Sequence, residues 1–116
     1  MPAEPRLTAN SEPTPVVMGP GLVRRAIACG DRMLLIEVAV AKGAVVPPHS
    51  HTHEQIGYVA SGRVEFTLGA TASPLERQVL SAGDGYAIPG GLEHSVLGIV
   101  DAGVVDVFSP VREEYR

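Results

Sequence analysis

The 116-residue chain weighs 12.1 kDa, and with 45% hydrophobic and 19% charged residues it can bury the core of one domain. A formal charge of −4, the absence of a basic run and an aromatic content of 4% argue against nucleic-acid binding. No segment has the pattern of a membrane span or a signal peptide, and the single cysteine, Cys29, has no intrachain disulfide partner. We therefore expect a cytoplasmic protein without membrane or nucleic-acid partners.

The N-terminal segment is rich in residues that interrupt regular structure, since five of the ten prolines lie in its first 20 residues. We expect residues 1–21 to form an extended arm and residues 22–116 to form the folded domain. The arm contains one apolar triplet, Val16-Val17-Met18. This triplet either docks on a sheet edge, contacts a partner subunit or belongs to a frayed tail, and the sequence leaves these alternatives open.

Short apolar runs alternate with turn signals from residue 22 onwards. Predicted strands cover residues 22–29, 33–41, 55–60, 63–68, 76–80, 85–88, 95–100 and 104–109. The turn signals between them include Pro47-Pro48, Ser73-Pro74 and Asp101-Ala102-Gly103. No amphipathic pattern is long enough for three helical turns. Many short strands without intervening helices predict an all-β domain, either a sandwich, a jelly roll or a small barrel.

The histidines are clustered in a way that predicts a metal site. They are His49, His51, His53 and His94. On a strand, residues two apart point to the same face, so the first three would share a face with Gln55, while Glu54 points away. Imidazole ligands at this spacing bind divalent transition metals such as nickel, iron, manganese or zinc. A lone histidine is more often a core or surface residue, but a cluster flanked by Gly/Pro turns favours the metal site.

A second informative stretch lies near the C-terminus. Asp106 sits between valines in an apolar run, where a carboxylate is costly unless it is paired or used in chemistry. Alternation places Asp106 and Phe108 on one strand face, and Arg112 follows closely enough to fold over the end of a barrel. The alternative is that Asp106 marks a strand edge and that Arg112 belongs to a solvated tail.

Two sequence motifs resemble the two motifs of the cupin family. The first is Gly43-x5-His49-x-His51-x3-Gln55-x6-Gly62, and the second is Gly83-x5-Pro89-x-Gly91-x2-His94. The resemblance implies a double-stranded β-helix, or jelly-roll barrel, with one divalent transition metal in its mouth. It implies that His49, His51, Gln55 and His94 are the ligands.

This sequence departs from the family pattern at position 55, where the family usually has a glutamate. A neutral amide ligand leaves the charge of the metal uncompensated, which favours Lewis-acid chemistry over a higher oxidation state. If a bulge shifts the strand register, Glu54 is the ligand instead. The role of His53 stays open between a pocket residue and a turn residue.

Three further segments resemble the pectin-degradation (KdgF-type) cupins. They are His-Glu-Gln-Ile-Gly-Tyr-Val at 53–59, Ile-Pro-Gly-Gly at 88–91 and Asp-Val-Phe-Ser-Pro-x-Arg-Glu at 106–113. The resemblance implies an enzyme that opens 4,5-unsaturated monouronates, the products of pectin and alginate lyases, and ketonises them to 5-keto-4-deoxyuronate. It implies that Asp106, Phe108 and Arg112 line the active site beside the metal. The substrate is then a small anionic sugar acid.

Given these residues, Asp106 would carry a proton, Arg112 would pair with the uronate carboxylate and Phe108 would pack on the sugar ring. Two other functions remain open. One is a metal-dependent oxygenase of a small organic substrate, which Gln55 disfavours, and the other is a non-enzymatic ligand-binding cupin, which would not require Asp106 and Arg112. We also expect a homodimer, because an exposed barrel edge beside an apolar segment invites pairing with a second chain.

Overall fold

Two antiparallel β-sheets face each other in the structure, a computed structural model that describes residues 4–116. The strands are β1 (Val16–Gly19), β2 (Leu22–Cys29), β3 (Leu34–Val40), β4 (Val45–His49), β5 (Glu54–Ser61), β6 (Arg63–Ala70), β7 (Ser73–Ser81), β8 (Gly85–Ile88), β9 (His94–Gly98) and β10 (Ala102–Ser109). One sheet has the order β1-β2-β3-β10-β5-β8, and the other has the order β4-β9-β6-β7. A 3-10 turn, Glu113–Tyr115, is the only helical element in the described range, where no helix could span a membrane.

The core lies between the two sheets and follows from period-two alternation. Along β10, buried residues alternate with half-buried ones from Ala102 to Ser109, and most of β3 follows the same pattern. Side chains with little or no exposure from both sheets fill the space between them: Phe108, Leu34, Ile36, Ile88, Val40, Val59 and Val64. This arrangement confirms the predicted all-β jelly roll.

Two predicted turns are instead parts of strands. Pro47-Pro48 lies inside β4, whose pairing with β9 shifts register between Val46 and His49, and Pro74 lies inside β7. Both β4 and β7 are edge strands, where proline is tolerated because one side of the strand pairs with no neighbour, and the pairing of β4 with β9 is interrupted at the two prolines. The predicted Asp101-Ala102-Gly103 turn also extends two residues too far, because β10 already begins at Ala102.

The N-terminal segment runs along the six-stranded sheet. Val16, Val17 and Met18 belong to β1, which pairs with β2 at the sheet edge, and Val17 is 73% exposed. Upstream, the Asn10 carbonyl accepts a hydrogen bond from Arg25. Residues 1–3 of the predicted arm lie outside the described residues, and the division into an arm (1–21) and a domain (22–116) stays a prediction.

The first histidine motif crosses from one sheet to the other. β4 ends at His49 in the four-stranded sheet, residues 50–53 form a connection, and β5 begins at Glu54 in the six-stranded sheet. The prediction that the histidines share one strand face with Gln55 is therefore wrong. The chain turns between the sheets and brings these residues together at one end of the barrel.

Candidate metal centre

Three histidines meet at this end of the barrel. His49 closes β4 and His94 opens β9, and the two are register partners across the neighbouring strands. His51 lies in the connection between the sheets, with its ring centroid 5.0 Å from that of His94. One ligand atom from each ring lies within 4.8 Å of the others.

Backbone hydrogen bonds fix how these rings face each other. In every ring, Nδ1 lies 2.8–3.0 Å from a carbonyl oxygen two residues away, and the pairs are His49–Pro47, His51–His53 and His94–Leu92. A carbonyl oxygen only accepts hydrogen bonds, so Nδ1 of His49 and His94 carries the proton and Nε2 keeps its lone pair. In His51 both ring nitrogens face oxygen acceptors, because Nε2 lies beside Oε1 of Gln55. The backbone thus sets the tautomer that a metal ligand requires in His49 and His94.

Burial keeps two of the rings neutral. Burial lowers the pKa of His94 to about 4. Burial also lowers the pKa of His51, and the nearby positive charge of Arg112 lowers it further. The His94 Nε2 is also buried without a hydrogen-bond partner among the described residues. A buried nitrogen without a partner is costly unless it has another use, and a neutral imidazole is a good ligand for divalent transition metals. The three histidines are positioned to bind a metal ion, and the donor set fits one.

Gln55 lies beside this cluster with its side chain 6% exposed and facing inward from β5. Its Oε1 lies 3.1 Å from Nε2 of His51, and its Nε2 donates a 3.1 Å hydrogen bond to Oδ1 of Asp106. Glu54 is exposed on the opposite face, which rules out the register in which Glu54 replaces Gln55. The amide therefore joins the histidine cluster to a buried carboxylate.

Asp106 is buried in the interior of β10, 6% exposed, and its register partner on β5 is Gly57. Its Oδ1 accepts hydrogen bonds from the Gln55 amide and from the Tyr86 hydroxyl. Burial raises the pKa of Asp106, and these two donors and the Arg112 charge oppose that rise. Burial, then the neighbouring Asp106 charge, raises the pKa of Tyr86, so its hydroxyl remains a donor.

Gly57 provides the space for this contact. A Cβ at this position would lie 2.6 Å from Asp106 Oδ1, 2.7 Å from the Tyr86 hydroxyl oxygen and 2.3 Å from the Val105 carbonyl oxygen. Gly57 was not expected from the sequence, and for Tyr86 a core or rim position was favoured over a role as an extra proton donor. A glycine inside an apolar strand signals a close approach of other groups, and that signal is present in Gln55-Ile-Gly-Tyr-Val.

Arg112 and Phe108 complete the cluster. The Phe108 ring is 1% exposed and lies 5.6 Å from the His51 ring. The Arg112 Cζ lies 5.2 Å from the Phe108 ring centroid and 3.9 Å from that of Tyr115. Its Nε donates a 2.8 Å hydrogen bond to Glu114, and this bond lowers the pKa of Glu114. Tyr115 and Glu114, which contact the guanidinium group, were not expected from the sequence.

His53 lies at the side of the site. Its carbonyl oxygen is the hydrogen-bond partner of His51, and its ring centroid is 6.5 Å from that of Phe108. Its Nδ1 is buried without a hydrogen-bond partner in the described part of the chain. The structure thus brings the predicted residues together: three histidines, Gln55, Asp106, Phe108 and Arg112.

Comparisons with known proteins agree with this fold. Residues 36–108 match the cupin domain family. The chain is 34% identical over 100 residues to the pectin degradation protein KdgF of Dickeya dadantii (strain 3937), a match that covers 84% of this chain and 86% of the relative. It superposes on the structure of KdgF from Halomonas sp. with a TM-score of 0.86 and 32% identity, covering 96% of this chain and 100% of that one.

A second solved structure is similar in fold alone. It is an RmlC-like cupin from Shewanella frigidimarina NCIMB 400, which matches with a TM-score of 0.87 at 24% sequence identity. The match covers 99% of this chain and 98% of that one. Both structural matches therefore extend over nearly the whole length of each protein.

Proposed function

Because this chain belongs to the cupin family, with a KdgF protein among its relatives, we propose that it is a metal-dependent enzyme of pectin or alginate catabolism. It opens and ketonises 4,5-unsaturated monouronates to 5-keto-4-deoxyuronate. The observation that carries this proposal is the position of Asp106. A buried carboxylate with a raised pKa is hydrogen-bonded to Gln55, and Gln55 in turn contacts the histidine cluster.

The proposed metal ligands are the three Nε2 atoms and the amide oxygen: His49, His51, His94 and Gln55. When bound, a divalent ion there supplies Lewis-acid polarisation of a substrate oxygen. No carboxylate belongs to this ligand set, so the site would keep a net positive charge that attracts an anionic sugar acid.

Arg112 binds the carboxylate of the uronate. Glu114 occupies its Nε, which leaves the two terminal nitrogens of the guanidinium group available for a bidentate contact. The rings of Phe108 and Tyr115 pack against the guanidinium group and restrict its rotation. A restricted group loses little conformational entropy on binding substrate, which favours affinity.

Asp106 moves the proton. Its carboxylate accepts the proton of the C1 hydroxyl, the bond between C1 and the ring oxygen breaks, and C1 becomes an aldehyde. The electrons of that bond remain on the former ring oxygen as an enolate, which becomes the C5 ketone when Asp106 returns the proton to C4. The carboxylate is regenerated, and no other reactant is consumed. A pKa raised by burial brings this group closer to the working pH, where a proton carrier is most effective.

The experiment follows the loss of ultraviolet absorbance of a 4,5-unsaturated galacturonate and of its alginate-derived counterpart, with metal content measured in each sample. The wild type accelerates the loss and depends on metal. Asp106→Asn loses most of the rate with its metal retained, because an amide cannot carry the proton. The control is Glu37→Gln, which makes the same chemical change on β3, on the outer face of the same sheet.

Two results would refute this function. If Asp106→Asn keeps the wild-type rate, the proton route is wrong. If no unsaturated uronate reacts faster in the presence of the protein than in buffer, the substrate class is wrong. Oxygen uptake by the iron- or manganese-loaded protein would then favour the oxygenase.

A further inference from the structure

We propose that position 55 carries an amide because Asp106 faces it, so that Gln55 is a positioning residue for Asp106 as well as a metal ligand. This inference builds on the proposed function, in which Gln55 is a metal ligand and Asp106 carries the proton. It accounts for the departure from the glutamate that is usual in cupins. Its physical basis is a single side chain with an acceptor at one end and a donor at the other.

The buried carboxylate sets the direction of the amide. Oδ1 of Asp106 only accepts hydrogen bonds, so the NH2 group of Gln55 must face it, at 3.1 Å. The amide oxygen is then turned to the other side, 3.1 Å from Nε2 of His51. Asp106 thus orients the only side-chain oxygen of Gln55 towards the histidine cluster.

Asp106 has no room to move away from a different partner. The same Oδ1 accepts the Tyr86 hydroxyl, and the Gly57 backbone approaches so closely that even a Cβ would collide with both groups. The Tyr86 ring is itself packed on Phe66, with centroids 4.2 Å apart. A replacement side chain at position 55 must therefore face the Asp106 carboxylate at its present position.

A glutamate at position 55 would place two carboxylates against each other at a buried position, since Gln55 and Asp106 are each 6% exposed. The NH2 donor would be lost, and the new oxygen would face Oδ1 of Asp106 at hydrogen-bond distance. Like charges at this distance repel strongly where water is excluded. Glutamine and glutamate have nearly the same shape, so the replacement tests charge and donor chemistry rather than packing.

The experiment exchanges the two groups. Gln55→Glu, Asp106→Asn and the double variant are compared with the wild type by urea unfolding of the zinc-loaded, full-length chain at one neutral pH. In the double variant, the NH2 group of the amide at position 106 can take the place of Oδ1, where one N–H donates to the carboxylate at position 55 and the other donates to the Tyr86 hydroxyl oxygen. Gln78→Glu, an identical replacement on the exposed strand β7, is the control.

We compare the effect of Gln55→Glu on the folding equilibrium constant in two backgrounds, the wild type and Asp106→Asn. We expect the reduction to be larger in the wild type by a factor of about ten or more. The double variant should then unfold at a higher urea concentration than Gln55→Glu alone, with its zinc retained. If the two changes are additive, or the exchange rescues nothing, the inference is overturned. Neither readout involves a uronate, so an error in the proposed substrate would leave this result unaffected.

Discussion

Replacing Tyr86 with phenylalanine removes one donor from the buried carboxylate and leaves the rest of the site in place. The hydroxyl donates to Oδ1 of Asp106, while the ring lies 4.2 Å from that of Phe66, a contact that phenylalanine preserves. No cavity larger than one oxygen atom forms. The change therefore isolates one hydrogen bond to a charged group.

The magnitude follows from that bond. A hydrogen bond to a charged group contributes about 1.5–3 kcal/mol, and a domain of this size loses roughly 4 °C in Tm per kcal/mol, so we expect Tm to fall by roughly 6–12 °C. The bond also lowers the pKa of Asp106, so its loss raises that pKa further. Since the ionised form accepts the proton, the fall of kcat/KM towards acid should begin at a higher pH in Tyr86→Phe.

The assay compares Tyr86→Phe with Tyr58→Phe, a tyrosine that is 48% exposed on the outer face of the same sheet. Thermal unfolding of the metal-loaded proteins gives Tm, and initial rates across the pH range give kcat/KM. If the two variants share one Tm and one pH profile, the hydrogen bond from Tyr86 to Asp106 contributes nothing to stability or to the pKa of Asp106.

Metal content should collapse in His51→Ala and His94→Ala but fall less in Gln55→Ala, whose neutral oxygen is the weakest ligand; full metal in both histidine variants by elemental analysis would remove the site. Arg112→Ala should chiefly raise KM, since it contacts a carboxylate that does not react, and a fall in kcat alone would contradict this. The chelated protein should lose stability in urea as the pH falls from about 6.5 to about 4, because the pKa of His94 is lowered to about 4 and the unfolded chain binds more protons in that window; a flat profile would refute it. Light scattering should show a homodimer that Val17→Asp weakens, and a monomeric wild type at micromolar concentration would contradict this.

The sequence predicted the strands whose ends carry strong turn signals, and it was least accurate where prolines lie inside a strand. The bounds of β2 and β8 agree with the prediction. The strand β4 was missed because Pro47-Pro48 usually breaks a central strand, and a sequence does not reveal which strands will be edges. The strands bounded by turn residues were therefore predicted more accurately than the proline-containing strand that ends at His49.

For the site, the sequence identified residue types better than their spatial relations. Alternation suggested that His49 and Gln55 face together, and they do lie at one end of the barrel, but on different sheets. The contact of Tyr86 with Asp106 depends on the pairing of β8 and β10 with β5, which no local pattern specifies. The packing of Tyr115 on Arg112 likewise arises only when the chain turns back after β10.

The proposed ligands come from both sheets: His49 and His94 from the four-stranded sheet and Gln55 from the six-stranded one. An ion held by all of them fastens the two layers at the end where the barrel opens. By mass action, free metal at about a hundred times its dissociation constant adds about 2.7 kcal/mol to the free energy of unfolding. The working lifetime of the protein would then follow the metal supply of the cell, with starvation for the ion loosening this end first and exposing the chain to proteases.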